Sequence, residues 1–146
     1  MAIKCFKIEK LIRDKIPAFL ESNGIVVHAK TMDDQEFISK LKDKLLEEAR
    51  EVLETANSDE LCEEFADVLE VMHALSKASG LTMQQIEHRR LEKRKVKGGF
   101  ENKTFNSSVE IEESNQLIDY YLDKPHQYPE IHSKIHQSDC LFCQIA

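Results

Sequence analysis

Hydrophobic residues recur every three to four positions in three long segments, a spacing that predicts amphipathic helices. The first begins at an N-cap, Asp33 or Asp34, and runs to about residue 55. The second follows a turn at 57–59 and reaches about residue 79, and the third begins after Thr82 and ends before Gly98. Because the turn at 57–59 is short, the first two helices should be antiparallel neighbours. The pattern therefore predicts an all-α fold, a helical bundle built on an antiparallel helix hairpin.

The remaining segments are shorter and less periodic. Residues 11–21 predict a short helix, in which Pro17 either interrupts the middle or marks the start. The β-branched run 25–30 and residues 100–105 predict two short edge strands. Residues 109–122 form a weaker helix candidate, and the chain loses its periodicity after Pro125. We therefore divide the chain into a domain at 1–108 and a C-terminal helix with a flexible tail at 109–146.

Composition and charge narrow the class of protein. The 146 residues carry 20 Lys and Arg against 27 Asp and Glu, a net charge of −7, which argues against general nucleic-acid binding. No apolar run approaches the ~20 residues that cross a bilayer, and the first residues do not resemble a secretory signal. Four cysteines are too few for a disulfide scaffold, so we expect a reducing, cytoplasmic location.

Two acidic pairs are the most informative feature: Glu48 with Glu51, and Glu64 with Asp67. Residues three apart are neighbours on a helix surface. At ~100° per residue, both pairs lie ~80–145° from the centre of their apolar stripe and on the same rotational side. The centre of the first stripe falls near Leu45 and Ala49. Since the pairs are also equidistant from the turn, four carboxylates should converge at one level beside the hairpin.

Carboxylates gathered at one level repel each other, which raises their pKa values or destabilises the fold. Mg²⁺, or alternatively Mn²⁺, would remove this repulsion because hard divalent cations prefer oxygen ligands. For a single residue the simpler interpretation is a solvated acidic helix face. For the set of four we predict a metal site, with the ligands Glu48, Glu51, Glu64 and Asp67.

The string at 47–51, Glu-Glu-Ala-Arg-Glu, and the string at 64–67, Glu-Phe-Ala-Asp, resemble the motif of the MazG-like all-α NTP pyrophosphohydrolases. In that superfamily the pattern is Glu-Glu-x-x-Glu followed by Glu-x-x-Asp. The strings at 11–17, Leu-Ile-Arg-Asp-Lys-Ile-Pro, and at 97–100, Lys-Gly-Gly-Phe, are similar to a small house-cleaning phosphohydrolase subgroup. The resemblance spans roughly residues 8–105.

The resemblance implies Mg²⁺-dependent hydrolysis of a nucleoside triphosphate, NTP or dNTP, to the monophosphate and pyrophosphate. The carboxylates would hold the metal, which neutralises the polyphosphate and lowers the pKa of an attacking water. Glu51 is the candidate to orient or deprotonate that water. The superfamily also implies a homodimer or a higher homo-oligomer. The alternative is a non-catalytic nucleotide-binding or dimerisation module that kept the fold.

Such a reaction also needs cations for the phosphate charge. The candidates are basic residues near the first short helix and at the end of the third long helix: Arg13, Lys15, Lys93, Arg94 and Lys97. Basic residues also favour a helix C-terminus through its dipole, so a solvated helix end is the competing interpretation for 88–97.

The C-terminal tail offers a third, separate hypothesis. His132, His136, Cys140 and Cys143 have the ligand types and spacing of a zinc site. Residues 138–146 also resemble the opening of a histidine-triad nucleotide hydrolase domain, whose catalytic histidines are absent from this sequence. We therefore expect no zinc at Cys140 and Cys143 and assign the tail no catalysis.

Overall fold

A computed structural model describes residues 2–131, and within them all regular structure is α-helical. This confirms the predicted all-α class. The five helices are α1 (Ile16–Ser22), α2 (Asp34–Glu54), α3 (Ser58–Ala78), α4 (Met83–Lys97) and α5 (Ile118–Leu122).

The long helices begin at the residues whose side chains can accept free backbone N–H groups. The Asp33 side chain accepts a hydrogen bond from the Glu36 N–H, and the Asn57 side chain accepts from the N–H groups of Asp59 and Glu60. Thr82 and Gln85 form a reciprocal capping box at the start of α4. Asn57 and its two neighbours thereby fix the turn of the α2–α3 hairpin.

The two predicted edge strands are wrong. Residues 25–30 have no regular secondary structure, and residues 100–103 form a turn closed by a hydrogen bond from the Lys103 N–H to the Phe100 carbonyl at 3.0 Å. A strand needs a neighbour to complete its backbone hydrogen bonds, and neither segment has one in the described residues. Of the candidate helix at 109–122, only α5 (Ile118–Leu122) is helical. The first helix begins only at Ile16, with Pro17 in its first turn, where the missing N–H costs nothing.

The chain divides into two compact units between Gly99 and Phe100. The first contains α1 to α4, and its main packing is that of α2 against α3. In the second, the rings of Tyr120, Tyr121 and Tyr128 cluster with centroids 5.1–5.6 Å apart, and Lys124 lies over the Tyr120 ring. Within residues 2–131 no helix is long and apolar enough to cross a membrane.

The face that α2 packs on α3 differs from the predicted stripe. Leu41 and Glu48 are buried, whereas Ala49 is exposed and Leu53 is 84% exposed. At ~100° per residue, the packed face is centred about 70° from the predicted centre, toward the acidic pair. The apolar arc of α2 is wider than one partner helix can cover, so α3 covers only the part next to the carboxylates.

The uncovered part of the arc forms an apolar face on the hairpin, defined by Leu46, Leu53, Phe65 and Leu69, each at least half exposed. By helical stepping these four residues lie on the side of the hairpin opposite the acidic pairs. Leu41 and Val71 are the only buried apolar residues among residues 2–131. The described chain therefore encloses a very small core.

Candidate functional site

Three carboxylates converge where α2 packs on α3. Glu48 and Glu51 lie one turn apart on α2, and Glu64 lies on the facing turn of α3. One oxygen from each lies within 4.8 Å of the others. The antiparallel hairpin produces this convergence because it brings the two motifs to one level.

Two oxygens of this cluster are buried without a hydrogen-bond partner: Glu48 Oε2 and Glu64 Oε2. Glu48 is only 4% exposed, and its other oxygen, Oε1, accepts from Lys44 Nζ at 2.7 Å. A buried carboxylate oxygen without a donor is costly. Both oxygens belong to residues of the three-carboxylate set, and a bound cation is the kind of partner that they lack.

Glu51 experiences the crowding most directly. Burial raises the pKa of its carboxyl, and the neighbouring Glu48 and Glu64 raise this pKa further, against a smaller opposing effect of Lys44. The ionised form of Glu51 is therefore less favoured here than in water, and added positive charge would offset this effect.

Asp67, the fourth predicted ligand, lies beside the cluster but has a different partner. Its Oδ1 accepts from Arg13 Nη2, a residue of the segment that precedes α1. The three-carboxylate set does not include Asp67, although Asp67 lines the same cavity as Glu48 and Glu51. The structure therefore brings three of the four predicted ligands together and pairs the fourth with an arginine.

Sequence reasoning missed a chain of ion pairs next to the cluster. Lys44 Nζ lies 2.7 Å from Glu48 and 3.0 Å from Glu47, and Lys10 Nζ lies 2.8 Å from Glu47. Burial of Lys44 acts to lower its pKa, but the hydrogen bonds to Glu48 and Glu47 outweigh the effect of burial. The net result is a raised pKa for Lys44. The bond from Lys10 lowers the pKa of Glu47. The Lys44 pairs follow helical spacing and were available to sequence analysis, whereas the Lys10 pair spans 37 residues.

A cavity of about 250 Å³ connects these groups. One wall carries carboxylates, Glu48, Glu51 and Asp67, and the other is the segment before α1, with Arg13 and the apolar Leu11. A second cavity, of about 210 Å³, lies on the other side of Glu51 and Glu64, toward the hairpin turn. The cluster is thus accessible from two sides, and cations border the first.

The other predicted phosphate-binding residues do not line either cavity. Lys15 is exposed at the start of α1, and Lys93, Arg94 and Lys97 lie on the last turns of α4. Of the predicted cations, Arg13 alone borders these two cavities. The zinc candidates His132, His136, Cys140 and Cys143 lie outside the described residues.

The donor set of the cluster fits a hard divalent cation. All its donors are carboxylate oxygens, the preferred ligands of Mg²⁺ and Mn²⁺, and two are buried without a partner.

The all-helical fold agrees with the MazG-like all-α superfamily, to which the family found by comparison belongs. The family model described as phosphoribosyl-ATP pyrophosphohydrolase matches residues 9–95. The chain belongs to that family, whose members are pyrophosphohydrolases. The match contains the segment before α1, the complete α2–α3 hairpin and most of α4. No curated protein and no solved structure matches the chain.

Proposed function

We propose that this protein hydrolyses a nucleoside triphosphate, NTP or dNTP, to the monophosphate and pyrophosphate, as a house-cleaning enzyme of the nucleotide pool. The observation that carries the proposal is the convergence of Glu48, Glu51 and Glu64 with two buried oxygens that have no partner. A scaffold gains nothing from this arrangement, since it costs stability until a cation is present. For this reason we favour an enzyme over a non-catalytic binding module.

Glu48, Glu51 and Glu64 would hold Mg²⁺ or Mn²⁺, and Asp67 is the candidate fourth ligand. When bound, the metal would neutralise polyphosphate charge and lower the pKa of a water molecule. Lys44 is bonded to Oε1 of Glu48, so Oε2, which is buried and has no partner, is the oxygen left to bind the metal. We assign Glu51 the additional role of orienting the water and accepting its proton, because Glu51 lines both cavities that open onto the cluster.

The substrate phosphates need cations, and Arg13 borders the first cavity. A guanidinium can bind a phosphate through two parallel hydrogen bonds. We propose Lys15, Lys93, Arg94 and Lys97 as further phosphate ligands. Lys15 and Lys97 belong to the motifs at 11–17 and 97–100, and Lys93 and Arg94 lie on the last turns of α4, just before the second motif.

We also propose that the active unit is a homodimer or a higher homo-oligomer. Leu46, Leu53, Phe65 and Leu69 leave one side of the hairpin apolar and exposed, and the described chain encloses only a small core. A second copy of the hairpin would cover this apolar face by ordinary helix packing.

The test of function is pyrophosphate release from a panel of canonical and modified NTPs and dNTPs, and from phosphoribosyl-ATP, with and without Mg²⁺. We expect metal-dependent release that Glu51→Gln abolishes. Glu63→Gln is the matched control, since Glu63 is an exposed residue of α3. No metal-dependent release from any panel member would refute the proposal. Release from phosphoribosyl-ATP alone would refute the triphosphate substrate but keep the hydrolase.

A further inference from the structure

We propose that Arg13 substitutes for the metal at Asp67 in the metal-free protein. When a divalent cation binds, Asp67 exchanges Arg13 for the cation, and the released guanidinium becomes available to a substrate phosphate. This inference rests on the proposed function, because it assumes that the carboxylate cluster binds a metal ion.

The exchange follows from the different partners of the four carboxylates. Asp67 is one turn from Glu64 and lines one cavity with Glu48 and Glu51. It is nevertheless outside the set whose oxygens approach within 4.8 Å, and its Oδ1 is bonded to Arg13. Glu48 and Glu64 meanwhile each keep a buried oxygen without a donor. Asp67 therefore already has a cation, whereas these two oxygens of the neighbouring cluster have no partner.

The Arg13–Asp67 pair is the one that can be exchanged at low cost. Its side chains are 57% and 40% exposed, and such exposed ion pairs contribute little to stability. Lys44, by contrast, is 21% exposed and bonded to two carboxylates at once. Lys10 binds Glu47, which is outside the cluster. Arg13 is thus the cation that competes with a metal for a candidate ligand without being held by the fold.

The position of Arg13 would allow its released guanidinium to bind a substrate phosphate. It lies in the non-helical segment just before α1, on the wall of the cavity that faces the carboxylates. A guanidinium released from a carboxylate still has parallel N–H donors, and two of these can bind two oxygens of a phosphate. Metal loading and phosphate recognition would therefore be coupled through one side chain.

The experiment is calorimetric titration of the full chain with Mg²⁺ alone, without nucleotide. The variants are Arg13→Met, Asp67→Asn and the double variant, and circular dichroism checks that each retains its helical content. Lys7→Met is the matched control: it also removes one positive charge from the N-terminal segment, but Lys7 is bonded to Glu9, outside the cluster.

We expect Arg13→Met to tighten Mg²⁺ binding about two- to fivefold, the range that corresponds to an exposed ion pair. In the Asp67→Asn background the same substitution should leave the affinity unchanged, and Lys7→Met should also leave it unchanged. Equal tightening in both backgrounds would indicate general electrostatics and refute the exchange. Unchanged or weaker Mg²⁺ binding by Arg13→Met would refute it too.

A second titration uses a non-hydrolysable nucleoside triphosphate analogue in saturating Mg²⁺. Arg13→Met should weaken binding of the analogue while it tightens binding of Mg²⁺ alone. This opposition of sign indicates an exchange when the tightening also disappears in the Asp67→Asn background. Unweakened analogue binding would refute the phosphate role of Arg13. A wild-type chain that binds no Mg²⁺ would refute the proposed function as well, whereas Mg²⁺ binding unaffected by Arg13 would refute this inference alone.

Discussion

The two sides of the α2–α3 hairpin are built from the same two helices but differ in what they lack. On the acidic side, Lys10, Arg13 and Lys44 neutralise part of the charge, and two buried oxygens still have no partner. On the apolar side, Leu53 and its neighbours have no cover. The acidic side therefore still has carboxylate oxygens that a further cation could bind. The apolar side has exposed side chains that another protein surface could cover. One side is suited to a small ligand and the other to a second copy of the chain.

The largest effect is expected from breaking the acidic side. Glu64→Gln removes a carboxylate with a buried, unpartnered oxygen and should lower metal-dependent turnover at least about 100-fold, beyond the usual effect of residues that only orient ligands. The measurement is the rate of pyrophosphate release at saturating Mg²⁺. The same substitution at the adjacent, exposed Glu63 should leave the rate within about twofold. Equal losses in both variants would refute a specific role for Glu64.

Metal addition should complete the acidic side and stabilise the fold. At Mg²⁺ concentrations about 100 times Kd, binding to the native state alone adds about 2.7 kcal/mol to the free energy of unfolding. Thermal unfolding followed by circular dichroism should show a higher Tm with Mg²⁺. In Glu48→Gln the shift should largely disappear. A Tm insensitive to Mg²⁺ in the wild-type protein would contradict the metal site.

Leu53→Asp tests the apolar side. Leu53 is the most exposed residue of the apolar face, and its cover in an assembly would contribute about 1.5–3 kcal/mol. We expect the molar mass from light scattering to fall to that of one chain, whereas Leu53→Met should keep the assembled mass. A wild-type protein that is already monomeric would contradict the assembly and leave the acidic side unaffected.

The smallest effect is expected at the turn that holds both sides in register. Asn57→Ala removes the acceptor for the N–H groups of Asp59 and Glu60 and should cost about 1 kcal/mol of stability. Denaturant unfolding measures this loss, and Asn57→Ser, which keeps a capping oxygen, should recover most of it. A loss in Asn57→Ser as large as that in Asn57→Ala would show that capping is not the cause.

Much of the fold was predictable because its signals are local. Asp33, Asn57 and Thr82 cap the helices that the hydrophobic spacing predicts, and a capping side chain contacts only the next three residues. The strands failed for the opposite reason. The β-branched composition of 25–30 expresses a local preference, but a strand exists only where a partner supplies hydrogen bonds.

The candidate site was predictable in part. The spacing of Glu48, Glu51 and Glu64 relative to the turn placed these residues at one level, and the structure brings their oxygens together. The sequence did not predict how deeply Glu48 is buried, because helical stepping gives the centre of an apolar arc and not the portion that a partner covers. The roles of Lys44 and Asp67 in the ion-pair pattern were likewise not apparent from the motif.

By itself the sequence determined the three long helices, their order and the acidic motif, since caps and periodicity act over a few residues. The tertiary structure alone decided that Arg13 reaches Asp67, that Lys10 reaches Glu47, and that Leu53 is left uncovered. The two ion pairs join residues that are 37 and 54 positions apart in the sequence. Their formation depends on how the segment before α1 and the hairpin pack together, which no local preference specifies.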